Sequence, residues 1–198
     1  MADELTLRSL EQHEWPDAMS LATRSFLSEP FMVEMYGADP VRRFALASKH
    51  YRSSPWHDDQ QHLAAFVGDV LVGFCVCSSP GHCHVCTDID PERPPEDPAE
   101  VPDWQFEVNV QAAHADHGDH GWISRVAVDS VLRGAGIGRT LMSHAIAAFR
   151  ADGADTVLLE CQQHREDFYV ACGFHRAATF PDPLGPDAIL LRADLRQR

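Results

Sequence analysis

Apolar and polar residues alternate over 5–10, which predicts an opening strand. Over 11–28 the period changes. Trp15, Met19, Ala22 and Phe26 recur at helical spacing, with Pro16 tolerable in the first turn. A second helix is predicted over 41–51, with Asp39-Pro40 as its start signal. Two apolar runs, 62–67 and 70–77, flank Gly68-Asp69 and read as a hairpin. A strand over 122–128 feeds a glycine-rich loop, and 138–150 is an amphipathic helix with Leu141, Met142, Ala145, Ile146 and Phe149 on one face. Beyond Asp152-Gly153 the pattern gives a buried strand at 156–160, a short helix at 166–172 and strands at 174–179 and 188–195. Strand, helix and strand in the middle of this order suggest a βαβ unit set among antiparallel neighbours. No internal repeat is visible.

The loop at its centre reads Arg133-Gly134-Ala135-Gly136-Ile137-Gly138-Arg139-Thr140. Alternating glycines let backbone amides turn toward one point. The helix that follows offers unpaired N–H groups and the positive end of its dipole, so the segment is a seat for a pyrophosphate. A dinucleotide fingerprint needs its third glycine two residues further on, but Arg139 (counting from Gly134) or Leu141 (from Gly136) stands there. A Walker loop needs a lysine after its glycines, and the only lysine is Lys49. What remains is Arg/Gln-x-x-Gly-x-Gly/Ala after an apolar strand, a pattern that resembles the acetyl-CoA loop of the GNAT superfamily of N-acetyltransferases.

A second segment, Asp167-Phe-Tyr-Val-Ala-Cys-Gly-Phe174, is similar to that family's Phe-Tyr-x-x-x-Gly-Phe motif. There a short helix ends at a glycine, and Gly173 suits a left-handed C-cap. The resemblance implies a GNAT-like α/β fold: a mixed, largely antiparallel twisted sheet, a central βαβ unit that binds acetyl-CoA, and flanking helices. It implies acetyl-CoA as co-substrate. Backbone groups of Val126, Ala127 and Val128 would meet the pantetheine and acetyl carbonyl, and Arg133 through Thr140 the pyrophosphate. Tyr169 would protonate the departing sulfur. A phenol of pKa near ~10 stays protonated at neutral pH and suits that task. Where many members carry an asparagine seven residues before the tyrosine, this chain has Gln162.

Charge changes the picture mainly by where it lies. The net −14 divides into 11 acids and 6 bases over 1–81, 10 acids and one base over 82–121, and 9 of each over 122–198. The part carrying the loop is therefore neutral, which lessens repulsion of a polyanionic coenzyme. No basic stripe suits a nucleic acid. Acidity is compatible with a cationic amine substrate, and also with plain solubility. The acidic N-terminus lacks the layout of a signal peptide, and no apolar run approaches the ~20 residues needed to span a bilayer. Six cysteines then argue for reduced thiols or metal ligands, and the expected location is cytoplasmic, with no membrane association. At 198 residues the chain is expected to be one domain, 1–198.

The segment 80–121 is an insertion into that plan. It holds Pro91, Pro94, Pro95, Pro98 and Pro102, the acidic excess, and 5 of the 12 histidines, and it reads as a long connection without regular structure. It opens with Gly81-His-Cys-His-Val-Cys86 and closes with His114-Ala-Asp-His-Gly-Asp-His120. Cys83 and Cys86 form a Cys-x-x-Cys knuckle. With His114, His117 and His120, or with His82 and His84 in their place, they offer the ligands of a structural tetrahedral zinc.

Direct transfer also needs a base to deprotonate the incoming amine; Glu107, His120 and Glu160 are candidates, His120 only if it does not bind metal. Cys161 and Cys172 lack a paired His/Asp arrangement and read as structural. The expected function is transfer of an acetyl group from acetyl-CoA to a primary amine of a small molecule or peptide, in a ternary complex. A non-catalytic acyl-CoA sensor is the alternative, and Tyr169 discriminates between them. Trp15, Phe26, Phe31, Tyr36 and Trp56 suit core and acceptor pocket equally. Dimers are common in the family, so a homodimer is allowed but not fixed.

Overall fold

Gly68, with φ of 58°, turns the chain tightly enough for strand β2 (Gln60–Val67) to run back as β3 (Val70–Ser78). The computed structural model describes residues 4–98 and 100–196. Around that hairpin the described residues form a seven-stranded sheet of order β1-β2-β3-β4-β5-β7-β6, with β1 at Leu5–Ser9, β4 at Gly121–Val128, β5 at Thr156–Gln162, β6 at His175–Phe180 and β7 at Ala188–Asp194. β1 pairs antiparallel with β2, and β7 antiparallel with both β5 and β6. The β4–β5 ladder is parallel, at Gly121↔Val157 and Trp122↔Leu158. The expected mixed, mostly antiparallel sheet with flanking helices is present.

The chain divides into two compact units, Met1–Cys77 with Ser124–Ala148, and Ser78–Ile123 with Phe149–Arg198. In the first, the predicted helix over 11–28 becomes a 3-10 turn (Gln12–Glu14) followed by α1 (Trp15–Phe26). A separate helix α2 (Pro30–Tyr36) then follows, which the pattern did not indicate. It has a proline at its start and Gly37 at its end, and is too short to show a period. Helix α3 (Pro40–Ser53) starts where expected, with the Asp39 carboxylate accepting from the Arg42 amide at 2.8 Å. Met19, Leu21, Ala22, Met32, Ala47, Phe66, Phe74 and Ala127 make the core of this unit, with Trp15, Phe26, Phe31, Tyr36 and Trp56 packed against it.

His62 sits in that core, stacked on Trp56 with ring centroids 3.8 Å apart and edge-on to Trp15 at 5.1 Å. Its Nε2 is buried with no hydrogen-bond partner among the described residues. Burial pushes its pKa down from 6.5 to about 4. Between those values the unfolded chain takes up a proton that the folded one excludes. Stability is therefore fully present above about pH 6.5 and falls as pH drops toward 4, by up to about 3 kcal/mol. His62→Phe keeps the stack and removes the titration. Urea midpoints measured at pH 7 and pH 4.5 are expected to fall less in the variant than in the wild type.

In the second unit the insertion is not structureless. It holds a single turn, α4 (His84–Thr87), and a 14-residue helix, α5 (Val101–His114). The helix carries Pro102 in its first turn, where no N–H is needed. Trp104, Phe106, Val108 and Val110 alternate with polar residues, so the apolar positions fall on several sides of the helix and most are half-buried. Cys83, Val85, Val110, Trp122, Leu158, Phe180, Ala188 and Leu190 form the local core. At the head of β4, a Cβ added to Gly121 would lie 2.5 Å from the ring of buried Phe149. Gly121→Ala should thus destabilise the protein by about 1–3 kcal/mol, read as a lowered denaturation midpoint.

Candidate functional site

In the first unit, β4 ends at Val128 and the chain makes a 3-10 turn (Ser130–Leu132), capped by Asp129 Oδ1 accepting from the Val131 amide at 3.2 Å. Gly134 and Gly136 follow with φ of 87° and 86°, and a Cβ at either would meet nothing within 4 Å. Their glycines are required for backbone direction, in a region where L side chains are strained, and not for want of space. Helix α6 (Ile137–Ala151) starts here, and its first closing bond runs from the Thr140 amide to the Gly136 carbonyl at 3.0 Å. The amides from Ile137 to Arg139 precede that bond and stand at the helix's positive end. Gly138 lies within the first turn, without a positive φ. On the face turned to the core, Ile137, Leu141, Met142, Ala145 and Phe149 are all buried.

The two arginines differ. Arg139 is exposed in the first turn of α6. Arg133, also exposed, is tied back to α1: its guanidinium donates to the Ser25 carbonyl and lies 3.8 Å from the Glu29 carboxylate. Ser25 Oγ in turn donates to the Val128 carbonyl at 2.9 Å, so the end of α1 holds both the strand end and the loop. The Thr140 hydroxyl donates to the Gly136 carbonyl at 3.1 Å, which steadies the first turn. Ala135 is exposed, Val126 and Val128 are half-buried, and Ala127 is buried in the core. Also on β4, the Arg125 guanidinium lies 5.4 Å above the Tyr51 ring and 3.5 Å from Met19 Sδ, and burial lowers its pKa.

In the second unit, Tyr169 lies half-buried on α7 (Glu166–Val170), its ring edge-on to Phe168 at 4.9 Å and to Phe174 at 6.4 Å. The helix closes on Gly173, at φ 98°, whose amide bonds the Val170 carbonyl at 3.0 Å while the Phe174 amide reaches back to Tyr169 O at 3.1 Å. Gln162 is tied to Asp182 at 3.1 Å. Burial pushes the Cys161 thiol up to about 12, which makes it a poor nucleophile.

The insertion gathers Cys83, Cys86, His114 and His120, with one ligand atom from each all within 4.8 Å of one another. The two sulfurs are 3.2 Å apart, and His114 Nδ1 is 3.6 Å from each. His120 Nε2 lies 3.1 Å from His114 Nδ1. His117 does not join this group: its Nδ1 faces Arg192 at 3.2 Å. His82 is exposed, and the His84 ring packs on Trp122. Glu160 bonds His114 Nε2 at 2.5 Å and accepts from Trp122 Nε1 at 3.0 Å, a pairing across the fold that no local motif announces. Burial works against a charged His114, but hydrogen bonds to Cys86 and Glu160 push it up to about 9. Elsewhere on α5, burial and then the Asp103 charge raise the Glu107 carboxyl.

A mixed sheet whose central strand delivers a glycine loop onto a helix start is the arrangement expected of an acetyl-CoA-dependent acyltransferase. The chain belongs to the Acetyltransferase (GNAT) family, which matches residues 15–174, and it is an acetyl-CoA-dependent N-acetyltransferase. No curated protein matches it significantly. Among solved structures it is similar to the histone acetyltransferase HPA2 and related acetyltransferase from Corynebacterium glutamicum, at 18% identity and TM-score 0.64 over 100% of this chain and 99% of that one. It is also similar to Ard1 from Thermoplasma volcanium (18%, TM-score 0.56, 98% and 99%). PaiA N-acetyltransferase from Thermoplasma acidophilum, solved with coenzyme A, matches at 12%, TM-score 0.58, over 96% and 99%. At these identities the likeness is one of fold. Among the described residues, no helix is long and apolar enough to cross a membrane.

Proposed function

We propose that the whole chain acts as one acetyltransferase domain with an insertion at 80–121, moving the acetyl group of acetyl-CoA to the primary amine of a small molecule or peptide by direct transfer. The observation that carries this reading is the left-handed pair Gly134 and Gly136 ahead of the α6 N-terminus, with exposed Arg139 beside it. That arrangement suits the pyrophosphate of the carrier. The coenzyme-A complex of the Thermoplasma acidophilum neighbour, on the same fold, supports it.

The amine attacks the thioester carbonyl, forming the C–N bond as the C–S bond breaks. Backbone amides of Val126 and Val128 stabilise the oxyanion. Tyr169 gives its proton to the leaving sulfur, and the amine's proton leaves through a base or a water chain. Glu107 is the candidate base that the metal cluster does not use, and burial raises its carboxyl. The raised thiol of half-buried Cys161 favours direct transfer over an acetyl-cysteine intermediate. A structural zinc in the insertion belongs to the same proposal and takes no part in the chemistry, since acetyl transfer from a thioester needs no Lewis acid.

Titration calorimetry with acetyl-CoA, followed by a screen of amine acceptors for CoA release, tests the reading. Saturable binding with turnover on at least one amine is expected. Absence of binding at millimolar acetyl-CoA would overturn it.

A further inference from the structure

We infer that Cys83, Cys86, His114 and His120 form a closed Cys2His2 zinc centre whose outer carboxylate is Glu160, and that this centre fastens the insertion to the sheet. The inference rests on the zinc reading above and fixes its ligand set, its supporting residues and what it holds together.

The decisive observation is how the two imidazoles are oriented. His114 places Nε2 against a carboxylate oxygen at 2.5 Å, and His120 places Nδ1 against the Gly118 carbonyl at 2.6 Å. Each acceptor fixes a proton on the nitrogen that faces it. The other two nitrogens, His114 Nδ1 and His120 Nε2, then face one another at 3.1 Å on the side where the two sulfurs lie. A proton shared between them makes that an ordinary hydrogen bond, and a metal ion in the proton's place would accept both nitrogens. The two sulfurs point at the same place, so the cation is one that accepts two nitrogens and two sulfurs. This is the donor set of a structural zinc, and an outer carboxylate on a ligating histidine is its usual companion.

The spacing agrees. Tetrahedral zinc with its ordinary bond lengths separates S from N by about 3.6 Å and N from N by about 3.3 Å. The structure has 3.6 Å from His114 Nδ1 to each sulfur and 3.1 Å for the nitrogen pair. The sulfurs, at 3.2 Å, need to open toward about 3.8 Å. Four protein ligands leave no position for a substrate, which makes the centre structural. A cleft of about 220 Å³, lined by Thr87, Ala115 and Asp119 beside the ligands, gives the ion a way in.

The ligands come from the start of α4, the end of α5 and the lead into β4, and Glu160 adds β5. One ion thus closes the long loop from Cys83 to His120 and ties it to two neighbouring strands. Two of the three candidate bases, His120 and Glu160, are consumed in doing so.

The full chain, expressed without a histidine tag, should carry one zinc per chain by elemental analysis. Cobalt exchanged for zinc should give the d–d bands of tetrahedral coordination together with sulfur charge transfer. Cys83→Ser and His120→Ala should abolish stoichiometric metal, and His117→Ala should retain it. Glu160→Gln should weaken zinc about 10–100-fold in competition with a chromophoric chelator. After chelation, proteolysis should cut within the insertion while calorimetry still detects acetyl-CoA binding, so the metal reading and the acetyl-CoA reading fail separately. Three results would each overturn the inference: zinc far below one per chain with no tetrahedral cobalt spectrum, a Cys83–Cys86 disulfide in freshly isolated protein, or loss of metal in His117→Ala equal to that in His120→Ala. The cobalt spectrum uses the wild-type chain and stands even if the variants do not fold.

Discussion

Tyr169→Phe is expected to lower kcat by about 100- to 10,000-fold, the range typical of removing a general acid, while acetyl-CoA affinity stays unchanged. The substitution deletes one hydroxyl and keeps the ring, so the edge contacts with Phe168 and Phe174 survive. Without the phenol, the thiolate must leave unprotonated or take its proton from water. The loss therefore falls on the chemical step and not on binding. Stopped-flow acetyl transfer and calorimetry on the same preparation separate the two. A variant that turns over at the wild-type rate would remove the tyrosine from the mechanism, and one that fails to bind acetyl-CoA would reassign it to the cofactor pocket.

Gly136→Ala should cost about 1–2 kcal/mol, divided between fold stability and acetyl-CoA binding, where the whole of it would be a loss of roughly 5- to 30-fold, with Gly138→Ala much less affected. Gly136 holds φ of 86°, where a Cβ costs about 1–2 kcal/mol. Space is no obstacle, since that Cβ meets nothing within 4 Å. The variant either keeps the loop and loses that much stability, or relaxes the loop and incurs the cost when the ligand restores it. Denaturation midpoints and acetyl-CoA Kd measured together should account for the strain between them. Gly138 lies in the helical turn, where alanine is favoured over glycine by about 1 kcal/mol. Equal losses in both variants would mean that Cβ bulk against the ligand, and not backbone direction, governs the loop.

The glycine loop was legible in the sequence because its physics is local: spacing, a preceding strand and a following helix suffice. The same holds for Gly173, whose left-handed φ closes α7. Helix α5 was hidden for an equally physical reason. Trp104, Phe106, Val108 and Val110 alternate as strand residues do, and a half-buried helix has no need of a single apolar face. Among the histidines, even spacing made His117 look equivalent to its neighbours. Gly118, at φ 61°, ends the 3-10 turn between them, leaving His117 on Arg192 and returning His120 to His114. The bond from Glu160 to His114 joins residues far apart in the chain, which only the folded sheet reveals. The bond from Arg133 to Ser25 likewise joins residues far apart in the chain, and the motif does not announce it.

The tether from Arg133 makes the rear of the loop a scaffold joint. In the proposed reading, the loop that would hold the carrier is therefore braced by the end of α1 and by Glu29. An engineer who grafts a foreign α1–α2 segment to change the acceptor would thus disturb the donor side as well, unless the new turn again offers a carbonyl to Arg133.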